Sequence, residues 1–192
     1  MRDMIQDIIL ESIHVKEQIL RTNIGEIKGI ADLIIEALKK GGKVILFGNG
    51  GSASDCQHIA AEFIGRFKRD RTALAAVALT TNTSVLTSLA NDYGYDVVFA
   101  KQVEALGQKN DIVIGISTSG KAKNVALGIK QAKKMNLKTV ALTGGDGGDI
   151  AKLAEVSFIV PSAVTARIQE AHITIGHIIC ELVEQTLCQE QK

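Results

Sequence analysis

One pattern recurs along the chain: a short run of consecutive apolar residues, a stop in small polar residues, then a stretch with helical spacing. Lys43-Val44-Ile45-Leu46-Phe47 runs into Gly48-Asn49-Gly50-Gly51-Ser52, and a helical stretch follows from Ala53 to about Phe67. Leu74–Leu79 leads to Thr80-Thr81-Asn82-Thr83 and a helical stretch to Leu89. Asp111–Ile116 leads to Ser117-Thr118-Ser119-Gly120 and a helix to about Met135. Thr139–Leu142 leads to Thr143-Gly144-Gly145-Asp146-Gly147-Gly148 and a short helix, and Val156–Val160 is the last run, ended by Pro161. Strands without polar alternation are covered on both faces, and strands that alternate with helices pair in parallel. The pattern predicts an α/β fold: a single doubly wound parallel sheet of five strands, with helices added at both ends.

The additions are legible too. Ile5, Ile8, Ile9, Ile13, Ile19 and Leu20 recur at helical spacing through a first helix. A second runs from Ile24 to Lys40 with Ile27, Ile30, Leu33, Ile34 and Leu38 on one face, and Gly41-Gly42 stops it. These faces suit packing on a core or on another subunit. A long helix is expected from Val164 to about Gln189. The expected organisation is one domain over 1–192, with N-terminal helices in 1–40, an α/β core in 41–163 and a C-terminal helix in 164–192. A chain of 192 residues buries roughly 70% of its unfolded surface, so it needs no disulfide or metal staple.

Composition excludes several function classes. The net charge of +1 provides no basic stripe for nucleic acid. No apolar run is long enough to span a membrane, and the mixed-charge N-terminus is not a signal peptide. Cys56, Cys180 and Cys188 lack CxxC spacing and read as buried, reduced thiols of a cytoplasmic protein.

In an open α/β sheet, ligands bind at the carboxyl ends of the strands. Gly48–Ser52 can bring backbone N–H groups close to an anion, and Ser117–Gly120 adds hydroxyls just before a helix N-terminus. Without a GxxxxGK[ST] lysine, such loops suit a monophosphate better than a nucleoside triphosphate. Either loop alone is also an ordinary strand-to-helix turn with N-capping residues. Two in one sheet, with Asn91-Asp92 following another strand, favour function. His58 and Glu62 are four apart on one helix face. That spacing allows a shared zinc ion or a surface ion pair. The last helix carries Gln169, Glu170, His172 and His177, of which His177 lies among isoleucines as a core histidine would. Arg66, Lys68, Arg69 and Arg71 read as a solvated helix end.

These motifs, taken together and in order, resemble the bacterial phosphoheptose isomerases of the sugar isomerase (SIS) fold. The resemblance rests on Gly48–Ser52 with His58 and Glu62, Ala90-Asn91-Asp92-Tyr93, Gly115–Gly120, Leu142-Thr143-Gly144, and Ala166–Glu170 with His172 and His177. It implies that Asn49, Gly50, Gly51 and Ser52 line the sugar site, that Asn91 and Asp92 contact the sugar, and that Ser117, Thr118 and Ser119 hold the phosphate. It implies zinc, one per subunit, on His58, Glu62, Gln169 and His177. Glu62 and His177 are the implied acid/base pair, and Glu62 and Gln169 also touch substrate. The implied reaction is isomerisation of sedoheptulose 7-phosphate through an enediol, in a cytoplasmic homotetramer that supplies heptose for lipopolysaccharide or another surface glycan. Many members read Ser-Thr-Ser-Gly-Asn-Ser, whereas here Lys121-Ala122 follow Gly120, so one phosphate-facing hydroxyl is replaced and Lys121 and Lys123 bring charge instead. A different class, a noncatalytic SIS module that binds a replication-initiator protein, needs the fold but not the four-residue set.

Gln169 and His177 are eight residues apart, or about 12 Å along a helix axis. Two ligand atoms on one zinc ion are only about 3–4 Å apart. Either the last helix breaks between them, or one of the two serves a neighbouring chain. The sequence favours active sites at subunit interfaces, since no strong helix breaker separates the two residues.

Overall fold

The computed structural model describes residues 1–188. Its helices are α1 (Arg2–Thr22), α2 (Ile24–Lys39), α3 (Gly51–Ile64), α4 (Thr83–Tyr93), α5 (Val98–Leu106), α6 (Lys123–Lys134), α7 (Gly148–Leu153) and α8 (Thr165–Cys188). Its strands are β1 (Val44–Gly48), β2 (Ala76–Ala78), β3 (Ile112–Ser117), β4 (Lys138–Gly144) and β5 (Val156–Val160). All strand pairs are parallel, in the order β2-β1-β3-β4-β5. The α/β class and the doubly wound, five-stranded parallel sheet are therefore as expected. The expected helix end at Gln189 lies outside the described residues, as does the side chain of Cys188.

Alternation along each strand divides the core into two layers. Val44 and Leu46 of β1, with Ile112, Ile114 and Ile116 of β3, face α2, α3 and α8. Ile45, Phe47 and Val113 face α5, α6 and α7. Both faces are covered, so β1 and β3 are buried throughout. Phe47 stacks on Phe99 of α5 at 5.1 Å between ring centroids.

Two elements differ from expectation. The expected strand over Leu74–Leu79 pairs only at Ala76–Ala78, because β2 is an edge strand with a single neighbour. Helix α5 was not anticipated, as its nine residues between Gly94 and Gly107 are too short to display a helical period. Helix α1 buries only Val15 and Ile19, leaving Met4, Ile5, Ile8, Ile9 and Ile13 exposed.

His172 of α8 is fully buried against β4, and its Nε2–H donates to the Thr143 carbonyl at 3.0 Å. Burial pushes this imidazole down to about 4, against the opposing pull of the carbonyl. The unfolded chain binds a proton at His172 from about pH 6.5 downward, whereas the folded chain resists until about pH 4. Stability is therefore full above that window and falls as pH drops through it. At about 1.4 kcal/mol per pKa unit, the loss is roughly 3 kcal/mol. Urea unfolding of the wild type and His172→Gln should show the wild type's advantage shrinking by about that amount as pH falls from neutral to about 4. An advantage that is flat with pH would contradict the assignment.

Candidate active site

The chain leaves β1 toward β2 on one side, and β3 lies on the other, so the sheet's topological switch falls between β1 and β3. Ligands bind outside the carboxyl ends of strands at such a point. The Asn49–Gly50 turn and the Thr118–Ala122 loop both open there.

The second of these loops leads into α6. Ser117 is buried, Thr118 half-buried and Ser119 exposed, and the Lys121 N–H donates to Ser119 Oγ at 3.2 Å. Ala122 is the N-cap of α6 and supplies no side-chain acceptor. Asn124 Oδ1 takes the Val125 N–H at 2.9 Å, and the other first-turn N–H groups of a helix favour an anion. Gly120 sits at φ +64°, and a Cβ there would lie 2.1 Å from the Gly147 carbonyl oxygen. Its own carbonyl accepts from the Ile150 N–H at 3.1 Å. Lys121 is exposed, while Lys123 is paired with Asp96 at 2.6 Å.

The first loop is tied to the second by an amide pair. Asn49 Nδ2 donates to Asn124 Oδ1 and Asn124 Nδ2 donates to Asn49 Oδ1, both at 2.9 Å. The Tyr95 hydroxyl donates to the same Asn49 Oδ1 at 3.2 Å. Gly50 and Gly51 are exposed, and Ser52 is buried. The Gln169 amide packs on Gly51, where an added Cβ would be 2.4 Å from its Nε2. Asn91 and Asp92 close the last turn of α4, exposed, and bond to one another at 2.8 Å.

The titratable groups meet where α3 crosses α8. Gly176 makes the crossing close, since a Cβ there would lie 2.6 Å from Ile59 Cδ1. The contact brings His177 Nε2 to 2.9 Å from His58 Nε2, while His58 Nε2 is 3.4 Å from Glu62 Oε1. His58, Glu62 and His177 each offer one ligand atom, all within 4.8 Å of one another. Zinc ligand atoms about 2 Å from the metal lie about 3–4 Å apart, so this nitrogen and carboxylate set fits a zinc-type cation. The three come from one chain. Helix α8 is continuous through Thr165–Cys188, which removes the broken-helix alternative, and Gln169 lies two turns ahead of His177.

Sequence reasoning passed over Asp55, Phe67 and Glu184 around this cluster and misread Arg71. Asp55, one turn before His58, is half-buried with Oδ2 lacking a hydrogen-bond partner. Burial raises its carboxyl, and the charges of His58 and His177 pull it back. Its place three residues before His58 was the available signal. The Phe67 ring lies against His177 at 5.6 Å. Arg71, expected to be solvated, is instead a buried partner of Glu184, with side chains 3% and 2% exposed. His177 is half-buried at the cluster rather than a core histidine.

Residues 9–144 match the model of the SIS domain family. A phosphoheptose isomerase of Thermodesulfovibrio yellowstonii is 55% identical over 96% of this chain and 92% of its own length. That of Aquifex aeolicus is 51% identical over 98% and 99%. The solved phosphoheptose isomerase of Neisseria gonorrhoeae superposes with a TM-score of 0.91, at 43% identity, covering 96% of this chain and 98% of that one. The chain belongs to the SIS domain family, within its phosphoheptose isomerase group.

The left-handed backbone of Gly120, closed in by Gly147, supplies a test of the loop. Gly120→Ala should cost more than the roughly 1–3 kcal/mol of a left-handed non-glycine residue, because the Gly147 carbonyl would also have to move, as measured by denaturant unfolding. An unchanged midpoint would mean that the loop tolerates a side chain there.

Proposed function

We infer that this chain is a zinc-dependent isomerase that interconverts sedoheptulose 7-phosphate and D-glycero-D-manno-heptose 7-phosphate. The observation that carries this reading is the His58–Glu62–His177 cluster, formed where the helix that follows the first small-residue loop meets α8. The retained set speaks for an enzyme over a noncatalytic module. The names of the close relatives supply the substrate class.

The chemistry follows from position. Ser117, Thr118, Ser119 and the start of α6 bind the phosphate, far from the reacting carbons, and this distant binding energy orients them. Asn49, Gly50, Gly51, Ser52, Asn91 and Asp92 line the sugar. Glu62 moves the proton between C1 and C2, and His177 exchanges a proton with the neighbouring oxygen. His58, Glu62, Gln169 and His177 hold one zinc ion per subunit, which when bound stabilises developing negative charge on oxygen. Gln169 stands about 12 Å along α8 from His177, which supports completion of the site between the subunits of a homotetramer. The exposed apolar side of α1 suits such contacts. Buried free thiols at Cys56 and Cys180 fit a cytoplasmic setting. No helix among the described residues is long and apolar enough to cross a membrane. The product would feed heptose into lipopolysaccharide core or another surface glycan.

Incubation with sedoheptulose 7-phosphate in D2O, followed by NMR, tests the reaction. The aldose should appear with solvent deuterium at the transferred position, chelator should stop turnover, and zinc should restore it. A metal-loaded protein without turnover would end this reading. Glu62→Gln should keep the fold and lose at least about 100-fold in kcat, the lower range for a general base; its metal content should be measured alongside the rate. Ser119→Ala should raise KM by no more than about tenfold, the worth of one neutral hydrogen bond, with kcat little changed. An unaltered KM and unaltered inhibition by inorganic phosphate would remove Ser117–Gly120 as the phosphate cradle.

A further inference from the structure

We propose that Glu184 and Arg71 are positioning residues: together they lock the end of α3 to α8 and thereby set the geometry of His58, Glu62 and His177. The proposal rests on the reading of those three as the metal and acid/base groups.

Glu184 is 1% exposed. Its carboxylate accepts three consecutive backbone N–H groups, from Phe67 at 2.9 Å, Lys68 at 2.8 Å and Arg69 at 2.9 Å, and also Arg71 Nε at 3.2 Å. Burial would raise its pKa, but the amides and Arg71 outweigh it and hold the group below the ordinary carboxylate value. A buried carboxylate fully enclosed by donors fixes all of them at once.

Arg71 passes that constraint to the helix. Its Nη2 donates to the Glu62 carbonyl and its Nη1 to the Phe63 carbonyl, both at 2.8 Å, with Nη1 also 3.2 Å from the Gly65 carbonyl. The last carbonyls of a helix have no partner within it, so this guanidinium caps the final turn of α3, on which Glu62 stands. Glu184 lies two turns beyond His177 on α8, and residues seven apart share a helix face. One end of the clamp therefore stands on the helix of His177, and the other on the helix of His58 and Glu62. The segment between them sets the Phe67 ring 5.6 Å from the His177 ring. None of these groups reaches the cluster's ligand atoms, so their part is to hold position. A displacement of about 1 Å at a reacting group costs about 100-fold, and loss of an outer support typically costs 10–100-fold in metal affinity or activity.

The test uses Glu184→Gln in the full chain, which keeps the shape but loses the charge and one acceptor oxygen. The zinc dissociation constant, by chelator competition, should rise 10–100-fold and kcat should fall by a similar factor. KM should stay within about twofold, because the phosphate loops do not touch the clamp. A folded variant with wild-type zinc affinity and kcat would overturn the proposal. So would an equal loss in kcat and in phosphate-end binding, which would mark a general loss of structure. Should Glu184→Gln not fold, Arg71→Lys keeps a positive charge beside Glu184 but loses the guanidinium bonds to the Glu62 and Phe63 carbonyls. It should weaken zinc binding about 10-fold, and unchanged affinity in the folded variant would again overturn the proposal. A wild type that binds zinc without isomerising sedoheptulose 7-phosphate would fail the functional reading alone, since the zinc ratio would still decide the clamp. If the wild type bound no zinc, the ring resonances of His177 in the two proteins would decide it, with identical spectra counting against the clamp.

Discussion

A carboxylate removed from water is tolerable only when every lone pair has a donor. Glu184 meets that condition with donors drawn from a segment more than a hundred residues earlier in the chain. The requirement works in both directions. Phe67, Lys68 and Arg69 gain a common acceptor for backbone groups that no helix or strand would satisfy, and Arg71 becomes a cap for α3. The close crossing of α3 and α8 at Gly176 and the meeting of His58 with His177 lie two turns before this anchor along α8.

The two halves of the site are built differently. The phosphate half consists of turns whose backbone conformations are fixed by loop-on-loop packing, as at Gly120 against Gly147. The half with the titratable groups consists of helix surfaces, where spacing within one helix and the distance between two helices decide what meets. Under the proposed reading, backbone groups and hydroxyls of the first half would take the anion, leaving the histidines and Glu62 to the other end. This separation suits a substrate with an anionic tail and reactive carbons at the opposite end.

What could be read from the sequence follows the range of the forces involved. The strands β1, β3 and β4 were legible because burial on both faces leaves a continuous apolar signature, and the edge strand β5 because Phe158 and Val160 are buried in one core layer with Val156 packed against it. The edge strand β2 was overestimated, since Leu74 is apolar for packing on the core, while Leu79 keeps one backbone bond to the Leu46 carbonyl of β1 beyond the paired residues. His58 and Glu62 could be placed on one face because their relation lies within a single helix. The approach of His177 could not be read in the same way, because it depends on how closely Gly176 lets α8 come to Ile59. Arg71 was misread for a related reason. A basic run looks solvated until its acceptor is known, and Glu184 lies on the last helix.

The amide pair between Asn49 and Asn124 has a consequence for selectivity. Each side chain gives and takes one hydrogen bond from the other, and Tyr95 occupies the second lone-pair side of Asn49. The turn after β1 and the start of α6 are thereby pinned to each other, and the spacing between them is fixed. Under the proposed reaction, a sugar phosphate gripped at its anionic end must be long enough to reach Glu62 on the far side. Carbon count is then measured by a fixed length in the protein, with no need for a separate contact to every hydroxyl.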